Sequence, residues 1–232
     1  LVQRYPRRIK LATTPEQVIA NRKAGVLSAM IGVENGYSLG HDLKNMDWVF
    51  AQGARYIGLT HVGHNDLCTS SMPTAELGDP PLSDAGLSAF GKQVVERANR
   101  LGIMVDISHS SDACVRDVLA LSKAPVIASH SGAHALVNHP RNLPDDLLRA
   151  IAAKGGVVQA VAYKGFLKLD PGRELAEKVL QAQVAKQAGD KQYDSEKHDF
   201  LPAYVQGMAR IDKAFPLPTL DDYMAQIRHM VD

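Results

Sequence analysis

Net charge is the first thing this 232-residue sequence lacks: 26 Lys and Arg stand against 25 Asp and Glu, a formal +1. A balanced surface does not draw polyanions, which argues against nucleic acid or an anionic membrane face as the principal partner. No apolar run approaches the roughly 20 residues of a membrane-spanning helix. The two cysteines, Cys68 and Cys114, are too few for a disulfide framework and lack zinc-finger spacing, so they leave the redox compartment open. A Gly-rich phosphate loop, an internal repeat and low-complexity tracts are also missing. What is present is 45% apolar content, enough to bury a real core in one large domain or two small ones.

Periodicity organises the chain into alternating elements. Thr13-Thr14 followed by Pro15 marks a helix start, and that helix runs to Ala24. "GVLSAMIGVENG" reads as one buried strand ending at Glu34. A helix over 42–52, a strand "ARYIGLTHVG" ending near His61 and a polar loop over 67–81 follow. Helix 83–101, capped by Ser83 or Asp84, leads to strand 103–107, helix 112–121, strand 125–128, helix 145–153 and strand 156–162. Continuous apolar strands alternating with helices belong to a parallel α/β sheet covered on both faces. The polar residues Glu34, His61, His109, His130 and Tyr163 sit at strand ends, where a (β/α)8 barrel keeps its chemistry. Five such strands cannot close an eight-stranded barrel. The opening "LVQRYPRRIKLATTPEQ" reads as the end of one helix, a cap and the start of another, and "LDDYMAQIRHMVD" stops inside an amphipathic helix. The fold is therefore expected to be an α/β barrel incomplete at both ends, a single domain over 1–232. Residues 164–220, charged and helical in period, form a helical insertion within it.

Two strands end alike: Ser108-His109 after one, Ser129-His130 after another. Imidazoles and carboxylates suit zinc, and a catalytic zinc keeps a position open for water, whose pKa it lowers toward about 7. Glu34, His109 and His130 on three strand ends would converge at a barrel mouth. The plainer alternative is that the Ser-His pairs cap strands and bond neighbouring backbone.

The motifs "GVENG", "LTH", "DISHSS", "PVIASHSGAHAL" and "RNLPDDLL" follow one another in an order that resembles the membrane (renal-type) dipeptidases, peptidase family M19. The resemblance covers about residues 27–163, and the helical insertion is similar to one found in bacterial relatives. It implies a metal-dependent (β/α)8 barrel holding two zinc ions and cleaving dipeptides, including some with a D-residue at the C-terminal side. Carried across, Glu34 matches the glutamate bridging both zincs, and His109 and His130 match the histidines on the second zinc. His61 of "LTH" matches a histidine that stabilises the oxyanion beside the scissile carbonyl. Arg141 matches the arginine holding the substrate carboxylate, a natural task for a guanidinium fork. Tyr163 resembles a tyrosine lining the pocket.

Two parts of that pattern are absent: the His-x-Asp pair that opens the barrel and a "GSDFDG"-like strand whose aspartate handles protons. His64-Asn65-Asp66 carries the right letters in the wrong place and reads as loop. One three-ligand zinc site is recognisable. His41 reads as a helix cap, His134 and His139 as loop-shaping, and His198 and His229 as solvent-facing. Cys114 reads as buried, with a regulatory or disulfide role open for Cys68; Trp48 and the Met residues read as core. The expected function is zinc-dependent hydrolysis of a dipeptide. The alternatives are a silent homologue that binds a peptide-like ligand, and a metal hydrolase acting on a lactone, a phosphoester or a secondary-metabolite peptide. Homodimerisation is left open. Export, to the periplasm in a bacterium, is the expected location, with the cytoplasm as alternative.

Overall fold

The structure is a computed structural model that describes residues 1–81 and 85–231; the expected cap at Ser83 or Asp84 lies outside them. Its elements in chain order are β1 (Ile9–Leu11), α1 (Pro15–Lys23), β2 (Leu27–Ala29), β3 (Ile31–Val33), α2 (Lys44–Ala51), β4 (Ala54–Gly58), α3 (Ala89–Leu101), β5 (Met104–Asp106), α4 (Asp112–Leu121), β6 (Ile127–Ala133), β7 (Asn142–Leu143), α5 (Asp145–Ala153) and β8 (Val157–Ala160). Five helices follow: α6 (Lys164–Leu167), α7 (Pro171–Ala188), α8 (Ser195–His198), α9 (Pro202–Ala214) and α10 (Leu220–Val231).

The chain divides into two compact units. The first comprises Leu1–Ala135 and Pro140–Val161, the second Leu136–His139 and Ala162–Asp232. In the first unit β3, β4, β5 and β6 lie side by side in that order, all parallel, and both β7 and β8 pair with β6. Helices α2, α3 and α4 connect β3 to β4, β4 to β5 and β5 to β6, and α5 connects β7 to β8, the crossovers that parallel pairing favours. This is the expected α/β arrangement, open rather than closed into a full barrel among the described residues. Ile57, Val105 and Ala128 of the strands, with Val126 just before β6, pack with Val94 and Val95 of α3, Val115 and Val118 of α4, and Leu147 and Ile151 of α5. Each of these Val, Leu and Ile side chains contributes about 1.5–3 kcal/mol on leaving water.

Capping chemistry accounts for the helix starts. Thr14, Ser88 and Ser111 each accept a backbone N–H of their own helix's first turn, the bond an N-cap supplies. α3 begins at Ala89, later than its apolar periodicity predicts, because Leu87 is held in a bridge to Cys68 and Ser88 takes the cap.

Several expectations are corrected. Residues 9–11 are not helical; β1 pairs in parallel with β2 in a separate two-stranded sheet. The run predicted as one buried strand is shared between two sheets, and its Leu27, Met30 and Ile31 are exposed. Trp48 is 62% exposed rather than core. β6 runs five residues past the predicted end, to Ala133, so His130 lies within a strand and not after it.

In the second unit α7 and α9 pack through Leu180, Val184 and Ile211. Arg173 is buried among Glu177, Asp212 and the Phe215 carbonyl, which accept from its guanidinium at 2.6–2.7 Å. His198, read as solvent-facing, is 1% exposed. It accepts the Asp194 backbone N–H at Nδ1 (2.8 Å), and its Nε2 lies 2.9 Å from Asp190 Oδ2.

Candidate metal centre

Neighbouring parallel strands end in register, so residues just beyond their C-terminal ends become neighbours. Glu34 follows β3 directly; His61 and His109 each lie three residues beyond β4 and β5; His130 is the fourth residue of β6. Glu34 Oε1 is 3.4 Å from His109 Nε2 and 3.4 Å from His130 Nε2. The two Nε2 atoms are 2.9 Å apart. His61 Nε2 stands farther out, 3.9 Å from the same Glu34 oxygen, with its ring 4.2 Å from that of His109.

Backbone strain accompanies this convergence. His109 has φ 70° and Asn35, beside Glu34, has φ 73°. Non-glycine residues avoid that left-handed region and hold it only where surrounding structure enforces it, often at functional sites. Here the Asn35 side chain accepts from Tyr37 N and from Asn65 Nδ2. The His109 carbonyl accepts from Ser71 N at 2.8 Å.

The three closest donor atoms suit a cation. In a triangle of these edges the equidistant point lies about 1.9 Å from each atom in their plane, so a small displacement out of the plane gives the ~2.0–2.2 Å of zinc bonds. Glu34, His61 and His109 also lie within 4.8 Å of one another, which makes His61 a further candidate donor. The set with His130 has the shorter edges and is the tighter trap. Burial, with the charges of Arg141, His61 and His130 adding to it, lowers the His109 pKa to about 3. Burial followed by Arg141 lowers that of His130 as well. Both imidazoles are thus kept neutral, the form that offers a lone pair to a metal.

Arg141 is 3% exposed, and its Nη2 donates to the His130 carbonyl at 3.0 Å. Burial draws its pKa down to about 10, against the opposing pull of Asp106 and Glu34. Tyr163 belongs to the second unit, half exposed at the start of α6, with its ring 4.8 Å from that of Phe166. His41 caps no helix: it pairs with Asp66 Oδ2 at 2.7 Å and stacks on Phe90. His64 accepts the Ser70 N–H at Nδ1, while Asn65 donates to the Leu59 carbonyl and accepts from Leu67 N and Cys68 N. The letters of the His-x-Asp pair therefore serve to build this loop. Cys68 and Cys114, both buried, form a disulfide with Cα atoms 6.1 Å apart.

Sequence reasoning missed Asp106, 2% exposed, on which three donors converge from Ser108 and Ser129. Its signal was available: a charged residue inside the otherwise apolar strand 103–107. The serines of the two Ser-His pairs join those strands. Ser108 Oγ accepts the His130 N–H at 3.0 Å, and Ser129 Oγ lies 2.8 Å from His130 Nδ1.

Comparison with known proteins places this geometry. A family profile for membrane dipeptidase (peptidase family M19) matches residues 1–232. The dipeptidase verJ of Clonostachys rogersoniana is 40% identical over 157 residues, 68% of this chain and 39% of that protein. Among solved structures, the probable dipeptidase PvdM from Pseudomonas aeruginosa aligns with a TM-score of 0.80 at 31% identity, covering 99% of this chain and 60% of that one. A metallo peptidase from Rhodobacter sphaeroides, liganded with a phosphinate mimic of the dipeptide L-Ala-D-Ala, aligns with a TM-score of 0.65 at 26% identity, covering 91% of this chain and 54% of that one. The chain therefore spans 39–60% of the length of these relatives.

Proposed function

Since the chain belongs to the membrane dipeptidase family, peptidase family M19, we propose that the whole protein is a zinc-dependent dipeptidase and that Glu34, His109 and His130 hold a zinc ion. The observation that carries this reading is the meeting of one carboxylate oxygen and two neutral imidazole nitrogens, 2.9–3.4 Å apart. Zinc supplies Lewis-acid chemistry when bound, polarising a carbonyl and lowering the pKa of water.

The remaining roles fall to the chain's own side chains. His61 is 46% exposed beside the cluster, placed to donate a hydrogen bond to an oxyanion forming on the scissile carbonyl. Arg141 supplies a fixed positive charge for the free carboxylate that distinguishes a dipeptide from an internal peptide bond. The phosphinate dipeptide mimic held by the Rhodobacter sphaeroides relative supports this substrate class, including a D-residue at the C-terminal side. The Cys68–Cys114 disulfide supports an exported protein, because such bonds persist in oxidising compartments.

The test is direct. The purified whole protein is stripped of metal, titrated with zinc against a competing chromophoric chelator, and assayed on a panel of L,L and L,D dipeptides. Stoichiometric zinc binding and metal-dependent release of free amino acids are expected. Zinc binding with the whole panel uncut would move the reading to a silent ligand-binding homologue.

A further inference from the structure

We propose that Asp106 and Ser129 are positioning residues that place the proton of His130 on Nδ1 and thereby hold its Nε2 lone pair toward Glu34 and His109; the link to metal binding rests on the zinc reading above. Asp106 closes β5 and is buried. Its Oδ1 accepts two backbone amides, Ser108 N at 3.0 Å and Ser129 N at 2.9 Å, and its Oδ2 pairs with Ser129 Oγ. An ionised carboxylate only accepts, so the Ser129 hydroxyl hydrogen is committed to Asp106. Ser129 Oγ then has only lone pairs left for His130 Nδ1, 2.8 Å away. Nδ1 must carry the hydrogen, which leaves Nε2 as an acceptor facing the cluster.

His109 differs. Its Nδ1 is buried with no hydrogen-bond partner among the described residues, so nothing behind the ring dictates its tautomer. In the metal-free protein its Nε2–H can donate across the 2.9 Å gap to His130 Nε2. His109 is aimed by its left-handed backbone, and His130 by the strut behind it. Partners behind a ligating histidine commonly alter metal affinity by about 10–100-fold.

The asymmetry gives the test. In Asp106→Asn, Oδ1 must keep accepting two amides, so the new amide nitrogen replaces Oδ2 and donates to Ser129 Oγ. The serine hydrogen turns to Nδ1, and His130 carries its proton on Nε2, the wrong tautomer for a ligand. Two measurements are made on the whole protein: imidazole nitrogen–hydrogen NMR correlations on metal-free, nitrogen-15-labelled samples, and zinc affinity by chelator competition. The expected results are an Nδ1-protonated His130 in the wild type, an Nε2-protonated His130 in Asp106→Asn, and zinc binding weakened there by about 10–100-fold. Ser129→Thr, which keeps the hydroxyl, should bind zinc close to the wild-type level, and Ser129→Ala should not. A wild-type His130 protonated on Nε2 overturns the proposal. So does a folded Asp106→Asn with both readouts unchanged. If that variant fails to fold, Ser129→Ala decides: unchanged imidazole shifts and zinc affinity overturn it. Should the wild type bind no zinc, the dipeptidase reading falls, while the tautomer of metal-free His130 still decides the strut.

Discussion

At the scale of single residues, the difference between His109 and His61 is the sharpest. His109 Nε2 lies 3.4 Å from Glu34 Oε1 and is almost enclosed, whereas His61 lies 3.9 Å away and is half exposed. His109→Ala should therefore cost more zinc affinity than the ~10–100-fold of a residue behind a ligand. His61→Ala should leave zinc affinity near the wild-type level and reduce kcat by about 10²–10³, as loss of an oxyanion donor does. Chelator competition and steady-state kinetics on both variants separate the two roles. The pKa of His109 adds a second expectation. It is held near 3 in the folded chain against 6.5 for a free imidazole, chiefly by burial, and His130 shifts the same way. As pH falls, the unfolded chain takes up the proton first. Stability of the metal-free protein should be full above pH 6.5 and decline as the pH drops toward 3, with a slope approaching about 1.4 kcal/mol per pH unit for one such group. Urea denaturation at several pH values checks this, and a profile flat across that window would contradict it. The meeting of Glu34, His61, His109 and His130 was legible because residues at and just beyond the C-terminal ends of neighbouring parallel strands are brought together. Asp106 offered only the signal of a charge inside an apolar strand; its role was hidden, since an aspartate there looks the same in sequence whether or not hydroxyls and amides converge on it.

At the scale of elements, helices with a side-chain cap and a clear apolar face were easiest to read: α4 lies where it was expected, with Ser111 accepting from Cys114 N. The short strands were not. β1 and β2 have three residues each and β7 two, too few for a period of two to register, and only tertiary pairing decides their sheet. The disulfide was equally hidden, because Cys68 and Cys114 are 46 residues apart and their approach depends on the loop after His61 folding onto α4. Ser111 N donates to the Thr69 carbonyl there, and Thr69 Oγ1 meets Ser111 Oγ at 2.6 Å. Closing a loop of that length restricts the unfolded chain by an entropy equivalent to about 4 kcal/mol. The Cys68→Ala/Cys114→Ala double variant should lose stability of that order in urea denaturation; a loss below 1 kcal/mol would leave the cross-link without a stabilising role. α3 docks on the same loop through Gly91, where a Cβ would collide with the Leu67 carbonyl oxygen. That carbonyl already accepts from Ser88 N at 2.9 Å and cannot turn away. Gly91→Ala should cost about 1–3 kcal/mol, the range of an overpacked core, despite the helix-favouring methyl.

At the scale of the whole molecule, the parallel α/β class was legible from continuous apolar strands alternating with helices, and the family from five motifs in order. Exposure was less so. The apolar run 25–33 looked like a core strand, yet Leu27, Met30 and Ile31 are exposed, because a buried run and one divided between two small sheets share the same composition. Since the chain spans only 39–60% of its relatives' length, activity is a property to test on the whole protein. Substrate recognition is where charge gives the clearest forecast. Arg141 is buried, anchored through Nη2 to the carbonyl of His130, so its charge is fixed in place before any substrate arrives. A carboxylate lost from the substrate and a guanidinium lost from the enzyme should then penalise the same contact. Dipeptides with a free C-terminal carboxylate should be cleaved with higher kcat/KM than their C-terminal amides, by roughly the 1.5–3 kcal/mol of a charged hydrogen bond, about ten- to a hundredfold. Arg141→Ala should erase most of that preference, acting mainly through KM, while zinc affinity stays close to wild type. Arg141→Lys should recover little, because a point charge does not reproduce the planar fork. Wild-type enzyme that cleaved acids and amides alike would remove Arg141 from substrate recognition and leave it a structural brace for the strand that carries His130.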